Sequence, residues 1–258
     1  MPSEEQIIAE TTEIGRLRAQ ELSRENFFGL FSPFNRCRYA IKTPDKVTRG
    51  TVALTFDDGP HPTITPKILD ALKAHRAQAT FFVMGGKIKG NEAILRRILD
   101  EGHLLANHSY SHKNFHTASS SVKESEVVST HKLLSNFIHP RFFRYPYGNS
   151  TCDANTMIEN LGYNIVGWNI DTCDWAFSDG YLSDKENEVC AAPTSLRRDF
   201  FGYVRLQTQR TQGGILLMHD VHQATADNLH NLLTMLENDG YRFVTLDDVN
   251  VFPLLNKR

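Results

Sequence analysis

From residue 51 onward, short apolar runs alternate with longer stretches of helical periodicity, and this alternation constrains the fold more than any other feature of the chain. Thr51–Phe56 reads as a strand. Thr65 then offers an N-cap, with Pro66 at the first helical position, and Ile68, Leu69 and Leu72 form the apolar face of that helix. Ala79–Val83 is the next strand and ends at Gly85-Gly86. Ile94, Leu95, Ile98 and Leu99 mark a second helix that stops near Gly102. Leu104–Ala106, Phe142–Arg144 and Asn164–Trp168 read as strands, interleaved with helices over Val122–Phe137 and Thr156–Leu161. A long segment then runs to Gly213-Gly214, its second half expected to be helical. Ile215–Met218, a helix over Ala226–Asn238 and a last strand at Phe243–Thr245 complete the pattern. Repeated βα units of this size imply an α/β protein with a parallel sheet covered by helices. About seven such units point to a barrel or a distorted one.

The chain has 258 residues, a length that single α/β barrels reach and that buries a large core without help from disulfides or metals. Hydrophobic residues at 40% and charged residues at 22% are globular proportions and argue against bulk disorder. Lys plus Arg is 28 and Asp plus Glu is 30, a net charge of −2, so the electrostatic case for a nucleic-acid partner is missing. No stretch approaches the roughly 18 consecutive apolar residues of a membrane span. The N-terminal MPSEEQIIAETTEIGRLRAQ has no apolar signal core, which fits either an intracellular protein or a mature chain whose leader has been removed. Residues 1–49 hold an expected helix, Ser3 to Arg24, and an aromatic stretch, Phe27 to Tyr39; they read as an N-terminal helical and irregular extension packed on the main domain. Cys37, Cys152, Cys173 and Cys190 form no CxxC pair, so a zinc knuckle is unsupported. Free buried thiols are the plain expectation. Cys173–Cys190 is the favoured disulfide if the compartment is oxidising.

The groups able to do chemistry fall just after expected strands: Asp57-Asp58, His108, Arg144, Asp171–Asp174 and His219. In a βα barrel those positions share one face, where active sites sit. His108 and His112 are four residues apart, and a helix or tight turn would aim both rings the same way. Alone, such a pair is more often a polar surface feature. Beside it stand two adjacent carboxylates, which repel each other and are costly to bury without a cation or an arginine. Two imidazoles and one carboxylate make a three-ligand site with room for water and substrate, the arrangement of a catalytic ion. Zinc fits best, and iron, cobalt and nickel suit the same ligands.

TFDDGP (55–60), HSYSH (108–112), RYPYG (144–148), DTCDW (171–175) and LMH (217–219) resemble, in order, the five motifs of the polysaccharide deacetylase family, the NodB-homology domain of carbohydrate esterase family four. The resemblance implies a distorted (β/α)7 barrel over residues 50–250, followed by a tail, 251–258. It leaves 1–49 and the long 176–213 segment unexplained. It implies a hydrolase that removes N-acetyl groups from GlcNAc- or MurNAc-type residues of a polysaccharide, peptidoglycan first and chitin second. Asp58, His108 and His112 would hold the divalent metal, zinc first with cobalt or nickel as substitutes, and Asp57 would be the general base that frees metal-bound water to attack the acetamide. Arg144 would pair with and orient Asp57. The Tyr147 backbone N–H would complete an oxyanion site with the metal. His219 would protonate the departing amine, with Asp174 holding its other ring nitrogen. Trp175 and Leu217 would line the groove, Trp175 stacking on a sugar and Leu217 bordering the acetyl methyl. The side chain of Tyr147, and Asn107, His61 and His222, receive no chemistry.

The alternatives are an O-acetyl xylan esterase of the same fold, a non-catalytic carbohydrate-binding relative, a non-haem iron oxygenase built on the two-His-one-carboxylate triad, and a metal-free amidohydrolase. The complete motif set argues against the last three. The substrate class implies a periplasmic, secreted or cell-wall-associated protein. Groove specificity would come from loops 85–92, 113–120 and 176–213.

Overall fold

The structure, a computed structural model, describes residues 48–256. The expected helix Ser3 to Arg24, the aromatic stretch Phe27 to Tyr39, and Cys37 lie outside the described residues. So does the packing of the N-terminal extension.

Eight strands and seven α-helices are present among the described residues. The strands are β1 (Thr51–Asp57), β2 (Thr80–Val83), β3 (Leu104–Asn107), β4 (Phe142–Phe143), β5 (Asn164–Ile165), β6 (Ile170–Asp171), β7 (Gly213–His219) and β8 (Arg242–Val244). The helices are α1 (Ile64–Ala74), α2 (Glu92–Asp100), α3 (Ser120–Leu134), α4 (Cys152–Asn160), α5 (Asp184–Cys190), α6 (Phe200–Thr211) and α7 (Gln223–Asn238). All strand pairs are parallel, in the order β5-β4-β3-β2-β1-β7-β6. One edge of β1 pairs with β7 along its whole length, Thr51 with Gly213 through Asp57 with His219. Its other edge is shared: β8 takes Thr51–Ala53 and β2 takes Thr55–Asp57. The order ends at β5 and β6, so the sheet curves into a distorted (β/α)7-type barrel that is open between them.

Every residue of β1 is buried, as a strand with helices outside and a filled barrel inside requires. Alternation divides its side chains. Val52, Leu54 and Phe56 face outward into a core shared with Ile68, Leu69 and Leu72 of α1 and Leu229, Leu232 and Leu236 of α7. Ala53 faces inward, with Phe82, Ala106 and Ile215. Val251, Phe252 and Leu255 join that inner cluster, so the end of the described chain packs as part of the barrel.

Several boundaries differ from the sequence expectation. Helix α1 starts at Ile64, with Thr63 rather than Thr65 at its N-cap. The His61 imidazole supplies the cap, its Nδ1 accepting the Thr63 and Ile64 amides at 3.3 and 3.2 Å, while the Thr65 hydroxyl donates to Asp220 Oδ2 at 2.6 Å. Arg144 and the 166–168 stretch leave their strands, because the chain turns there into the barrel opening. Strand β6 and helix α5 were not expected within the long segment. That segment is stapled at Cys173–Cys190. Cys152 is disulfide-bonded as well, so the expectation of free thiols is corrected for the described cysteines.

Candidate active site

The strand ends converge as the βα pattern requires. The β1–β7 register puts Asp57 level with His219 on neighbouring strands. Asp58 follows in a left-handed conformation (φ 75°), which turns its carboxylate away from that of Asp57. The repulsion expected between neighbouring acids is relieved by Arg144 on Asp57, by His112 on Asp58 and by His108 between them.

Asp57 is matched by Arg144. The guanidinium is fully buried and donates from Nη1 to Asp57 Oδ1 at 2.7 Å and to the Thr55 hydroxyl at 2.8 Å. Nη2 donates to the Gly167 carbonyl at 3.0 Å and Nε to the Val166 carbonyl at 3.4 Å. Its charge also stands 4.1 Å from the centre of the Phe82 ring. A buried cation is tolerated when it is paired and its donors are used, and both conditions hold here.

Asp58 faces the imidazoles. Its Oδ1 is 3.4 Å from His108 Nε2 and 3.4 Å from His112 Nε2, yet that buried oxygen has no hydrogen-bond partner. Burial alone would raise the Asp58 pKa; His108 and then His112 outweigh it and hold the carboxyl well below the usual range. The Nδ1 of His108 lies 2.9 Å from the Arg144 carbonyl, which can only accept, so Nδ1 carries a proton and Nε2 is the ring nitrogen turned toward Asp58. The three ligand atoms lie within 4.8 Å of one another. An orphaned carboxylate oxygen equidistant from two imidazole nitrogens, one of them oriented by a carbonyl behind it, is a donor set that fits a divalent ion. Of the two alternatives for 108–112, helix or tight turn, the structure has the turn: Ser109 and His112 are left-handed (φ 64° and 59°), and the rings come together 5.1 Å apart.

Across the groove, His219 Nδ1–H donates to Asp174 Oδ1 at 2.8 Å. Asp174 Oδ2 accepts the His219 amide at 2.7 Å and the Thr225 hydroxyl at 2.6 Å. Burial lowers the His219 pKa, but Asp174, then Asp57 and Asp58, raise it to about 10. Asp174 is in turn lowered against its own burial, chiefly by His219. The groove between these groups holds about 540 Å³, within the usual range for a ligand site. Tyr147, Trp175 and Leu217, all expected there, line it. Tyr147 is left-handed (φ 57°), and its ring meets His112 edge-on at 4.4 Å.

Sequence reasoning missed Trp168, Val189 and His222, which also line the groove. Val189 comes from the unexplained 176–213 segment. It missed Asp220 as well, a buried carboxylate whose Oδ1 has no partner. Its place next to His219 was the one available signal.

A parallel barrel thus brings Asp58, His108 and His112 together at its strand ends, beside a buried Arg-paired acid and an Asp-paired histidine. The sequence profile described as polysaccharide deacetylase matches residues 45–166. A peptidoglycan-N-acetylglucosamine deacetylase of Bacillus cereus is 36% identical over 222 residues, 84% of this chain and 75% of that protein. A chitin deacetylase of Colletotrichum lindemuthianum is 34% identical over 230 residues, covering 84% of this chain and 87% of its own. The peptidoglycan-N-acetylglucosamine deacetylase PgdA of Listeria monocytogenes is 33% identical over 210 residues, 81% of this chain but 40% of that longer protein. The solved structure of the peptidoglycan deacetylase PdaC from Bacillus subtilis superposes with a TM-score of 0.64 at 26% identity, over 80% of this chain and 92% of that one. The chain belongs to the polysaccharide deacetylase family, the NodB-homology, carbohydrate esterase family four group. No helix among the described residues is long and apolar enough to cross a membrane.

Proposed function

We propose that this protein is a metal-dependent hydrolase that removes N-acetyl groups from GlcNAc- or MurNAc-type residues of a polysaccharide, peptidoglycan first and chitin second. The observation that carries the reading is the division between Asp58, whose unpartnered oxygen faces two imidazoles, and Asp57, one oxygen of which is engaged by Arg144. The names of the relatives supply the substrate class.

Asp58, His108 and His112 would hold the ion. A divalent ion there, zinc or its cobalt or nickel substitutes, supplies Lewis acidity and makes water nucleophilic at neutral pH. Asp57 is the general base; its Oδ1 is committed to Arg144, and Oδ2 faces the ligand site, 3.7 Å from His108 Nε2. The Tyr147 N–H is the oxyanion donor, pre-set by the left-handed turn after Pro146. His219 gives its proton to the departing amine, an amine anion being too poor a leaving group to depart alone. Asp174 favours the cationic imidazole and holds it by Nδ1, which leaves Nε2 to donate. Trp175 and Leu217 shape the groove around sugar and acetyl methyl. A cell-wall polymer is met outside the cytoplasm, and the Cys173–Cys190 bridge supports an oxidising compartment.

The test is acetate release from peptidoglycan, chitin oligomers and acetylated xylan, each with and without a chelator. Release from the first two that a chelator abolishes is expected. Release from xylan alone would assign an O-acetyl esterase. No release from any of them by the metal-loaded protein would overturn the reading.

A further inference from the structure

The geometry points to Glu126 as a positioning residue for the ion: a buried carboxylate on α3 that fixes the turn between His108 and His112 and thereby sets their spacing. The inference rests on reading the site as a metal centre.

That turn is strained. Ser109 and His112 both occupy the left-handed region, at roughly 1 kcal/mol or more each for residues with a Cβ. Such a backbone persists only where its surroundings over-determine it. Here they do so through side chains. Four consecutive amides end on side-chain oxygens: Ser109 on Asn107 Oδ1 at 2.9 Å, Tyr110 and Ser111 on Glu126 Oε2 at 3.0 and 2.7 Å, and His112 on Ser109 Oγ at 3.1 Å. The Ser111 hydroxyl adds a donation to Glu126 Oε1 at 2.5 Å. Glu126 thus accepts from both residues that lie at the middle of the turn, and it uses both of its oxygens to do so.

The opposite side of the turn is closed by backbone. The amides of Gly85 and Gly86 donate to the carbonyls of Ser109 and Tyr110, each at 2.9 Å. A Cβ on Gly85 would stand 2.3 Å from Thr130 Oγ1 and 2.8 Å from Tyr110 Cδ2, so only glycine allows this approach. Thr130 lies one helical turn beyond Glu126 on α3, and its hydroxyl donates to the Glu126 carbonyl at 3.2 Å. The ligand turn is therefore clamped between the glycine pair and one face of α3.

A carboxylate suits this place better than an amide. It accepts on both oxygens and has no hydrogen of its own to place. A glutamine would have to aim its NH2 group at donors. Glu126 stands outside the ligand group, so its influence reaches the ion only through the turn. Residues that orient ligands from behind typically change metal affinity about 10- to 100-fold when altered.

The experiment compares wild type with Glu126→Gln, Glu126→Ala and Ser111→Ala, and with Glu124→Gln as a control at an exposed position of the same helix. Zinc affinity is measured by competition with a chromogenic chelator, and amide hydrogen exchange is followed at Tyr110 and Ser111 in the metal-free protein. Glu126→Gln is expected to weaken zinc about 10- to 100-fold and to speed exchange at both amides, Ser111→Ala to do so less, and Glu124→Gln not at all. Saturating zinc is expected to restore kcat in Glu126→Gln with KM for the glycan unchanged. Wild-type zinc affinity in Glu126→Gln, or an equal loss in Glu124→Gln, overturns the proposal. Should Glu126→Ala fail to fold, the isosteric glutamine and the serine variant still decide it. Wild-type protein that binds no zinc sinks both the metal site and this inference. Protein that binds zinc, loses it on Glu126→Gln and releases no acetate sinks the proposed activity alone.

Discussion

Adjacent aspartates can meet different principal partners here because one φ angle changes sign between them. Asp57 keeps the strand conformation and meets a guanidinium; Asp58 turns left-handed and meets two imidazoles. Replacing Asp57 with asparagine is expected to reduce acetate release roughly 10²- to 10⁴-fold, the usual worth of a general base, while zinc binding measured by chelator competition persists. The acid side is set by a different pair. His219 has a pKa raised from 6.5 to about 10 by Asp174 and the two aspartates beyond it. A raised imidazole stabilises the fold fully below its ordinary value and loses that contribution as pH rises through about 10. In Asp174→Asn the alkaline limb of the kcat/KM profile is therefore expected to move down toward the ordinary histidine range. An alkaline limb that stays in place would remove His219 as the acid.

Among the elements, the stapled segment is the one whose role was hardest to foresee. Cys173 sits immediately before Asp174, and Cys190 ends α5 immediately after the groove-lining Val189. The Tyr203 hydroxyl donates to the Cys190 carbonyl at 2.8 Å and holds the same corner from α6. The bridge spans a sequence separation of 17, and closing a loop of that size is worth about 3 kcal/mol. Urea denaturation of Cys190→Ser is expected to show a loss of about that size. The longer strands and helices were legible because their apolar periodicity is local. The two-residue strands are too short to carry a period: β4 and β5 were expected with longer bounds, and β6 was not expected. Thr65-Pro66 misplaced the start of α1 because the cap came from a histidine ring. That Asp57, Asp58, His108 and His219 would gather at one groove was readable from their places after strand ends. Glu126 was not, since a mid-helix acid reads as a solvated face until the turn 15 residues upstream is seen folded against it.

At the scale of the whole molecule, Asp220 is a buried carboxyl that makes no ion pair among the described residues. Asp220 is pushed up from 3.8 to about 7 by burial, against the donation from Thr65. A Cβ on Gly59 would fall 2.0 Å from its Oδ2, so the group is wedged against the Asp58-Gly59 turn. Because its folded pKa is raised, the contribution of Asp220 to stability is greatest below 3.8 and is lost as pH rises through about 7. Asp220→Asn is expected to remove that slope. Thermal unfolding should find the variant more stable than wild type near about pH 8 and no better near about pH 4.

The gap between β5 and β6 gives Arg144 a second employment. Its guanidinium grips the Val166 and Gly167 carbonyls at the unzipped seam while its other arm steadies Asp57. A descendant that abandoned catalysis by discarding Asp57 would strand a cation inside its own wall, a loss of several kcal/mol for a once-paired interior charge. Shedding His219 would strand the buried Asp174 carboxylate in the same way, since the imidazole is its chief offset against burial. Either loss is therefore tolerated only where the buried mate, Arg144 or Asp174, changes with it.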